Sequence, residues 1–404
     1  MLTKLHFQTT TDKYFIQQLA LEKTTIGYYN LPNQNTDYIN EYLSKLDLTK
    51  ITDIVIVGIG GSSLGIRAIY HFIKAGRKLP RKMYFMGSTD PLSIRNTLEK
   101  IDQKNAHFIV ISKSGTTIET IATYKYLLTI ISKNQFSFIT DKNSKLDKYA
   151  KSNNQIVAHI QENIGGRFSA LSTVGLLPLA LVGIDYKTLL LGAKNINDKF
   201  WNYENNDILT KAYFYAENQK TYSIHTLFSY SDSLNYFNAW FIQLWGESLG
   251  KKQLDSALNV GMTPVGLIGP KDQHSFLQLL AEGTRDKTLT FITTKASINT
   301  LKVPDISLKH LEELDIFNNM SFADLINKQA ESTIKSLSNI EKLPIDEIIL
   351  ESQDEIAIGE LIFYYQLLTS IVGKLLNVNT YNQPGVELGK QILQQSLKNN
   401  TNNG

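Results

Sequence analysis

The chain passes repeatedly from a short run of β-branched and aromatic residues, through a loop of small residues, into a helical stretch. The first run is 54–57, and it is followed by a glycine-rich loop over 58–63 and a predicted helix over 64–74. Further runs of this kind lie at 82–86, 107–111, 136–140 and 155–159. Strands that alternate with helices predict an α/β domain with a parallel sheet, whose ligands bind at the carboxyl ends of the strands.

A second strand and helix series begins at 222–227 and continues through 263–266 and 289–292. The sequence therefore predicts two α/β domains, each a parallel sheet flanked by helices. We place the first at 49–186 and the second at 187–375. A helical segment over 1–48 precedes them, and a C-terminal helical segment with a tail, 376–404, follows.

Composition excludes several classes of function. The 404 residues include 41 basic and 38 acidic side chains, a net charge of +3 that argues against a nucleic-acid or membrane partner. The chain has no cysteine, which rules out disulfides, cysteine-ligated zinc and a cysteine nucleophile. With no apolar stretch of membrane-spanning length and no signal-peptide pattern, we expect a cytoplasmic protein.

The loop Ser112-Lys113-Ser114-Gly115-Thr116-Thr117 lies between a predicted strand and a predicted helix. Hydroxyl groups, a glycine and the free N–H groups at the start of a helix together form a favourable site for an anion such as phosphate. The alternative is that Ser114 or Thr116 is an ordinary helix N-cap. An N-cap needs one hydroxyl and this loop has four, which favours a phosphate site.

The loop after the first strand contains Gly58, Gly60, Gly61, Ser62 and Ser63. It departs from the dinucleotide-binding fingerprint, because a serine stands where the third glycine belongs. Its glycines serve either a tight turn alone or the close approach of backbone to a ligand.

Several charged residues have both a catalytic and a structural interpretation. Glu247 ends an apolar helix, where a carboxylate suits a general base or is simply solvated. His274 opens a helix and is either catalytic or a cap. Arg167 binds an anion or pairs with a carboxylate, and Lys390 is a catalytic or a solvated helix cation.

Taken together, these segments resemble the glucose-6-phosphate isomerase family, in the family's order along the chain. The matching segments are 57–62, 112–120, 163–169, 243–251, 261–264, 272–275 and 383–390. The resemblance implies two sugar-isomerase domains, usually in a homodimer, that use no metal and no organic cofactor. It also implies reversible interconversion of glucose 6-phosphate and fructose 6-phosphate by proton transfer between C1 and C2.

The resemblance further implies a role for each site residue. Glu247 would be the base, Arg167 would stabilise the enediolate, and His274 and Lys390 would open the sugar ring. His274 would come from the neighbouring subunit. Asn382 stands where an aspartate is common, with little consequence expected. The residues expected to contact or shape the site for the sugar phosphate are Gly61, Ser62, Ser112, Lys113, Ser114, Gly115, Thr116, Thr117 and Gln243.

Two other functions compete with this interpretation. A sugar-phosphate sensor without catalysis would keep the loop at 112–117 and dispense with Glu247, Arg167, His274 and Lys390. An isomerase of another sugar, such as mannose 6-phosphate, would keep all of them, since the loop reads the phosphate and not the configuration at C2.

Overall fold

The computed structural model describes residues 1–204, 207–295 and 301–401, and within these ranges it contains two five-stranded sheets and a short hairpin. The strands are β1 (Leu2–Leu5), β2 (Asp53–Val57), β3 (Lys82–Met86), β4 (Ala106–Ile111), β5 (Phe136–Thr140), β6 (Ile156–His159), β7 (Ile224–Ser229), β8 (Lys251–Lys252), β9 (Asn259–Val260), β10 (Thr263–Ile268), β11 (Lys287–Thr294) and β12 (Ile345–Leu350). This arrangement confirms the predicted pair of α/β domains.

The first sheet has the strand order β3-β2-β4-β5-β6, and all its pairings are parallel. The chain leaves β2 toward β3 on one side and returns to β4 on the other. The connections after β2 and β4 therefore diverge, which opens a crevice at their carboxyl ends. The loops 58–63 and 112–117 both lie at this point.

The second sheet has the order β1-β12-β11-β7-β10. Its pairings among β7, β10, β11 and β12 are parallel, whereas β1 pairs antiparallel with β12 at the edge. The prediction that 1–48 is entirely helical is therefore wrong at Leu2–Leu5. This strand is formed by its pairing with residues 346–349, which local periodicity does not reveal.

The helices cover the faces of both sheets and supply most of the core. They are α1 (Phe15–Ala20), α2 (Asp37–Leu43), α3 (Leu64–Gly76), α4 (Pro91–Lys100), α5 (Ile118–Leu127), α6 (Lys145–Ser152), α7 (Thr173–Leu181), α8 (Tyr186–Trp201), α9 (Asp207–Asn218), α10 (Asn235–Leu249), α11 (Leu277–Glu282), α12 (Phe322–Ser338), α13 (Glu355–Leu375) and α14 (Glu387–Thr401).

Alternation along β2 explains how the first sheet is buried on both faces. Ile54 and Ile56 join the large core that also contains Ile292 and Ile348 of the second sheet. Val55 and Val57 point into a separate core beneath α4, α5 and α6. One continuous apolar core therefore connects the two sheets.

The helix α13 runs through this shared core and packs against α8, α9 and α10. It is long and apolar enough to cross a membrane by length and composition, and 94% of its most apolar window is buried inside the protein. Such burial is typical of a central core helix. Through α10, the helix supports the side of the cavity that carries Glu247.

Candidate active site

A cavity of about 360 Å³ lies at the carboxyl ends of β2, β4 and β5, where the first sheet has its crevice. The second domain closes it through α10. Its lining residues are Ile59, Gly60, Gly61, Ser62, Lys113, Ser114, Thr117, Asp141, Gly166, Arg167, Gln243, Glu247, Gln383 and Lys390.

The loop at 112–117 is organised by its own hydroxyl groups. Ser112 Oγ and Thr117 Oγ1 are 2.9 Å apart, and Ser114 Oγ and Thr116 Oγ1 are 3.1 Å apart. Gly115 has a φ of 71°, and a Cβ there would lie 2.7 Å from the backbone nitrogen of Leu146. Only glycine fits this turn, which directs the chain into α5.

The structure divides the loop residues between two sides. Lys113, Ser114 and Thr117 line the cavity. Gly115 and Thr116 instead line a neighbouring cavity of about 680 Å³ between α5 and α6. Ser112 is buried and contacts Thr117 through its hydroxyl group, which pairs with Thr117 Oγ1 and accepts from the Thr117 backbone N–H.

Lys113 connects this loop with the segment that carries Arg167. Its Nζ donates to the carbonyl oxygen of Ile164 at 2.6 Å. Asp141, at the end of β5, lines the same wall, where burial raises the pKa of its carboxyl group and Lys113 opposes that rise. The wall therefore combines one cation, one acid and two hydroxyl groups.

The loop after β2 makes a close backbone contact with the loop before Arg167. A Cβ on Gly61 would lie 2.3 Å from the carbonyl carbon and oxygen of Gly166. Ser169 Oγ donates to the carbonyl oxygen of Gly61 at 3.1 Å. Glycine at position 61 is thus required by packing, and the contact brings Ser62 to the cavity.

Glu247 and Gln243 occupy successive turns of α10 and both face the cavity. Gln243 Nε2 donates to Glu247 Oε1 at 3.3 Å. The other carboxylate oxygen of Glu247 accepts from Arg167 at 3.1 Å, and the Glu247 side chain is 34% exposed. The base candidate is therefore held on both oxygens while staying accessible to a ligand.

Arg167 is buried and all five of its N–H donors have protein acceptors. Nε donates to Ser248 Oγ at 2.9 Å, and one terminal nitrogen donates to Glu247 and Gln383. The other donates to the carbonyl oxygens of Thr380 at 2.9 Å and Asn382 at 3.1 Å. We call Arg167, Glu247, Gln383 and the turn 379–382 the Arg167 cluster.

Burial lowers the pKa of the Arg167 guanidinium, and the charge of Glu247 opposes that shift. A buried arginine of this kind is stabilised by its carboxylate and carbonyl partners. Since no donor is spare, a ligand oxygen that needs one must replace Glu247, Gln383, Ser248 or a carbonyl oxygen. The contacts with Ser248 and Thr380 are buried, whereas those with Glu247, Gln383 and Asn382 are only partly buried and can be replaced more easily.

Lys390 lies in the first turn of α14 and lines the cavity from the C-terminal side. Its Nζ pairs with Glu387 at 2.8 Å, and both side chains are more than half exposed. The structure therefore brings Glu247, Arg167, Lys390 and Gln243 to one cavity with residues of the loop at 112–117.

His274 does not line this cavity within the same subunit. It ends the 3-10 turn Lys271–His274 and is exposed to solvent. The role of His274 at the site of a neighbouring subunit stays a prediction.

Two polar cavity residues, Asp141 and Gln383, had no role assigned from the sequence. Asp141 follows β5, and the rule that ligands gather at strand ends applies to it as it does to 112–117. Gln383 lies in a segment that matched the family pattern, but its contact with Arg167 joins positions 216 residues apart. No local pattern reveals that contact.

Comparison with known proteins agrees with this geometry. The family model described as phosphoglucose isomerase matches residues 44–404. A glucose-6-phosphate isomerase from Campylobacter jejuni is 41% identical over 379 residues, which cover 92% of each chain. One from Methanocaldococcus jannaschii is 35% identical, covering 86% of this chain and 84% of the relative.

Solved structures show the same architecture over nearly the whole chain. A hypothetical protein from Thermus thermophilus superposes with a TM-score of 0.86 at 28% identity, covering 98% of this chain and 100% of that one. A glucose-6-phosphate isomerase from Chlamydia trachomatis has a TM-score of 0.79 at 22% identity, covering 99% and 88%, which shows the shared fold. With the family match extending over most of the sequence, the chain belongs to the phosphoglucose isomerase family.

Proposed function

We infer that the protein interconverts glucose 6-phosphate and fructose 6-phosphate, a reaction of glycolysis and gluconeogenesis. One observation supports this inference above the others. The carboxylate of Glu247, paired with Arg167 at 3.1 Å, faces the same cavity as Lys113, Ser114 and Thr117. A base beside a cation, in one cavity with an anion-binding loop, is the arrangement that isomerisation of a phosphorylated sugar requires.

The phosphate group would bind at the loop before α5. The helix N-terminus, the Lys113 ammonium and the hydroxyl groups of Ser114 and Thr117 would hold it. Ser112 would act through Thr117, and Gly115 and Thr116 would shape the turn. This contact fixes one end of the sugar and directs its C1 and C2 atoms toward Glu247.

Ring opening would precede proton transfer. The bond between C1 and the ring oxygen breaks as a proton is delivered to that oxygen and another leaves the C1 hydroxyl. We assign this acid–base pair to Lys390 and to the partner subunit's His274. Lys390 lines the cavity and pairs with Glu387.

Glu247 would then take the proton from C2 of the open aldose, and the electron pair would form the enediolate. Protonation at C1 by the same carboxyl group, with transfer of the hydroxyl proton from O2 to O1, gives the ketose. The fixed positive charge of Arg167 would stabilise the negative oxygen, and Gln243 would orient the base.

The direct test is turnover of glucose 6-phosphate by the purified protein. We expect conversion to fructose 6-phosphate, with mannose 6-phosphate assayed in parallel to measure selection at C2. Absence of turnover of glucose 6-phosphate at micromolar enzyme would contradict the proposal. Binding without turnover would favour the sensor, which the presence of Glu247, Arg167 and Lys390 in one cavity argues against.

We also propose that the protein is a homodimer located in the cytoplasm. Two surface features support the dimer. His274 is exposed away from the cavity, and α14 leaves apolar side chains exposed, at Leu388 (66%), Ile392 (57%) and Leu397 (46%). A second chain would bury the apolar side chains and complete the site.

Mixing two inactive variants, Glu247→Gln and His274→Ala, tests the shared site. In a mixed dimer, the His274→Ala subunit keeps its base and receives an intact histidine from its partner. Random exchange would restore about a quarter of the wild-type activity. If the histidine acted within its own subunit, no mixed site would be complete and activity would stay absent. Sedimentation velocity gives the oligomeric state independently.

A further inference from the structure

The turn 379–382 precedes Gln383 and α14, and it is held by a cation that has no assigned role. Lys251 follows Gly250, the C-cap of α10. Its Nζ donates to the carbonyl oxygen of Asn379 at 2.8 Å and to that of Asn382 at 2.6 Å. It also donates to Asn382 Oδ1 at 3.2 Å, so the whole ammonium group is used on one turn.

Arg167 holds the same turn from the other side. The carbonyl oxygen of Asn382 accepts from both Arg167, at 3.1 Å, and Lys251, at 2.6 Å. Every acceptor of Lys251 here is a neutral oxygen. Lys251 also lines a cavity of about 750 Å³ whose lining includes Glu247 and Gln383, which belong to the catalytic cavity as well.

We propose that Lys251 is a positioning residue for the isomerisation, which anchors the turn 379–382 so that Gln383 and Lys390 face the substrate cavity. This inference rests on the proposed function. Lys390 lies on α14, whose apolar side chains Leu388 and Ile392 are exposed, so the helix has little packing of its own within the subunit. The position of α14 therefore depends on the turn 379–382 that precedes it, and Lys251 binds this turn.

The charge on Lys251 is part of this role. Burial and the nearby charge of Arg167 lower the pKa of the Lys251 ammonium to about 8, while the charge of Glu247 opposes the shift. These two are the charged groups that act on it. Once Lys251 loses its proton, the neutral amine has fewer N–H donors and no charge. Its contacts with the turn 379–382 therefore weaken as the pH rises through this value. We therefore expect turnover to fall above about pH 8.

The kinetic test compares Lys251→Met with Lys252→Met in the full-length protein. Lys252 is a suitable control, because it is exposed and its backbone pairs with Asn259 as part of the same hairpin. We expect Lys251→Met to lower kcat by about 10²-fold, the usual cost of misplacing catalytic groups by about 1 Å, with KM changed far less. A wild-type kcat in Lys251→Met would overturn the proposal.

A second variant, Asn382→Asp, separates positioning from a purely structural role. A carboxylate beside the ammonium raises the pKa of Lys251, so the alkaline fall in turnover moves to higher pH, by about one unit. An alkaline limb that stays at its wild-type position would contradict the proposal, since a structural role alone does not move it.

Amide hydrogen exchange tests whether Lys251 holds the turn 379–382, and it needs no measurement of activity. We expect faster exchange over 379–390 in Lys251→Met, and exchange equal to the wild type in Lys252→Met. Unchanged exchange in Lys251→Met would overturn the anchor even if the wild type is a good isomerase. Conversely, an inactive wild type whose Lys251→Met variant exchanges faster would refute the proposed function and keep the anchor.

Discussion

The loop at 112–117, which we call the phosphate loop, and the Arg167 cluster form two walls of one cavity, but they are built in different ways. The loop is six consecutive residues, and its internal hydroxyl contacts join positions two and five apart. The cluster joins the turn before α7, the end of α10 and the segment before α14. Its contacts from Arg167 span 80 residues to Glu247 and 216 to Gln383.

This difference separates binding from chemistry. The loop provides hydroxyl groups, Lys113 and a helix N-terminus, which favour an anion. These groups need only the strand before the loop and the helix after it to be in place. The cluster provides a base beside a cation, and neither group is useful unless the two domains place them together. Substitutions in the cluster should therefore affect kcat, whereas substitutions in the loop should affect KM.

The largest effect is expected for Glu247→Gln. The amide keeps the shape of the side chain and cannot accept the proton from carbon, so kcat should fall by at least about 10²–10⁴-fold. Inorganic phosphate should bind with nearly its wild-type affinity, as measured by calorimetric titration. A comparable loss of phosphate affinity would show that the two walls are not independent.

Arg167→Lys is expected to have the next largest effect. Lysine keeps the charge but cannot serve five acceptors in a fixed plane, so Gln383 and the turn 379–382 lose their common partner. We expect kcat to fall by about 10²–10³-fold. Arg77→Lys is a matched control, since Arg77 pairs with Glu355 at the N-terminus of α13, outside the cavity lining. Equal kinetics in the two variants would contradict the prediction.

The smallest effect is expected for Ser112→Ala in the phosphate loop. This change removes the partner of the Thr117 hydroxyl, so the loop orders one phosphate donor less well. Loss of a hydrogen bond between two neutral hydroxyl groups predicts a rise in KM of up to about 10-fold, with kcat nearly unchanged. Ser152→Ala, at the exposed end of α6, controls for loss of a serine hydroxyl. A fall in kcat without a change in KM would contradict the assignment of binding to the loop and of chemistry to the Arg167 cluster.

The predicted domains rest on features that act over short distances. The run 54–57 is β-branched and buried on both faces, which is typical of a central strand in a parallel sheet. Leu2–Leu5 has no such signal, since its residues are alternately exposed and half-buried and its strand pairs with β12, more than 340 positions away. Strands of this kind depend on their partner.

Among the site residues, proximity in sequence decided what was predictable. Local pattern indicated the loop at 112–117 as an anion site and left Glu247, Arg167, His274 and Lys390 each with a structural alternative. Resemblance to a family assigned their roles, and the fold brings Glu247, Arg167 and Lys390 to one cavity. Neither source indicated Asp141, the full use of the Arg167 donors, or Lys251.

The sequence by itself determined the alternation of strands and helices, and it predicted an anion site at one strand-to-helix connection. Both follow from side-chain periodicity, glycine conformation and the free N–H groups at a helix start, which are properties of neighbouring residues. Only the tertiary structure decided which carboxylate meets which guanidinium, and which side of the loop faces the ligand. Such pairings depend on how the two sheets pack across a shared core, and no short stretch of chain contains that information.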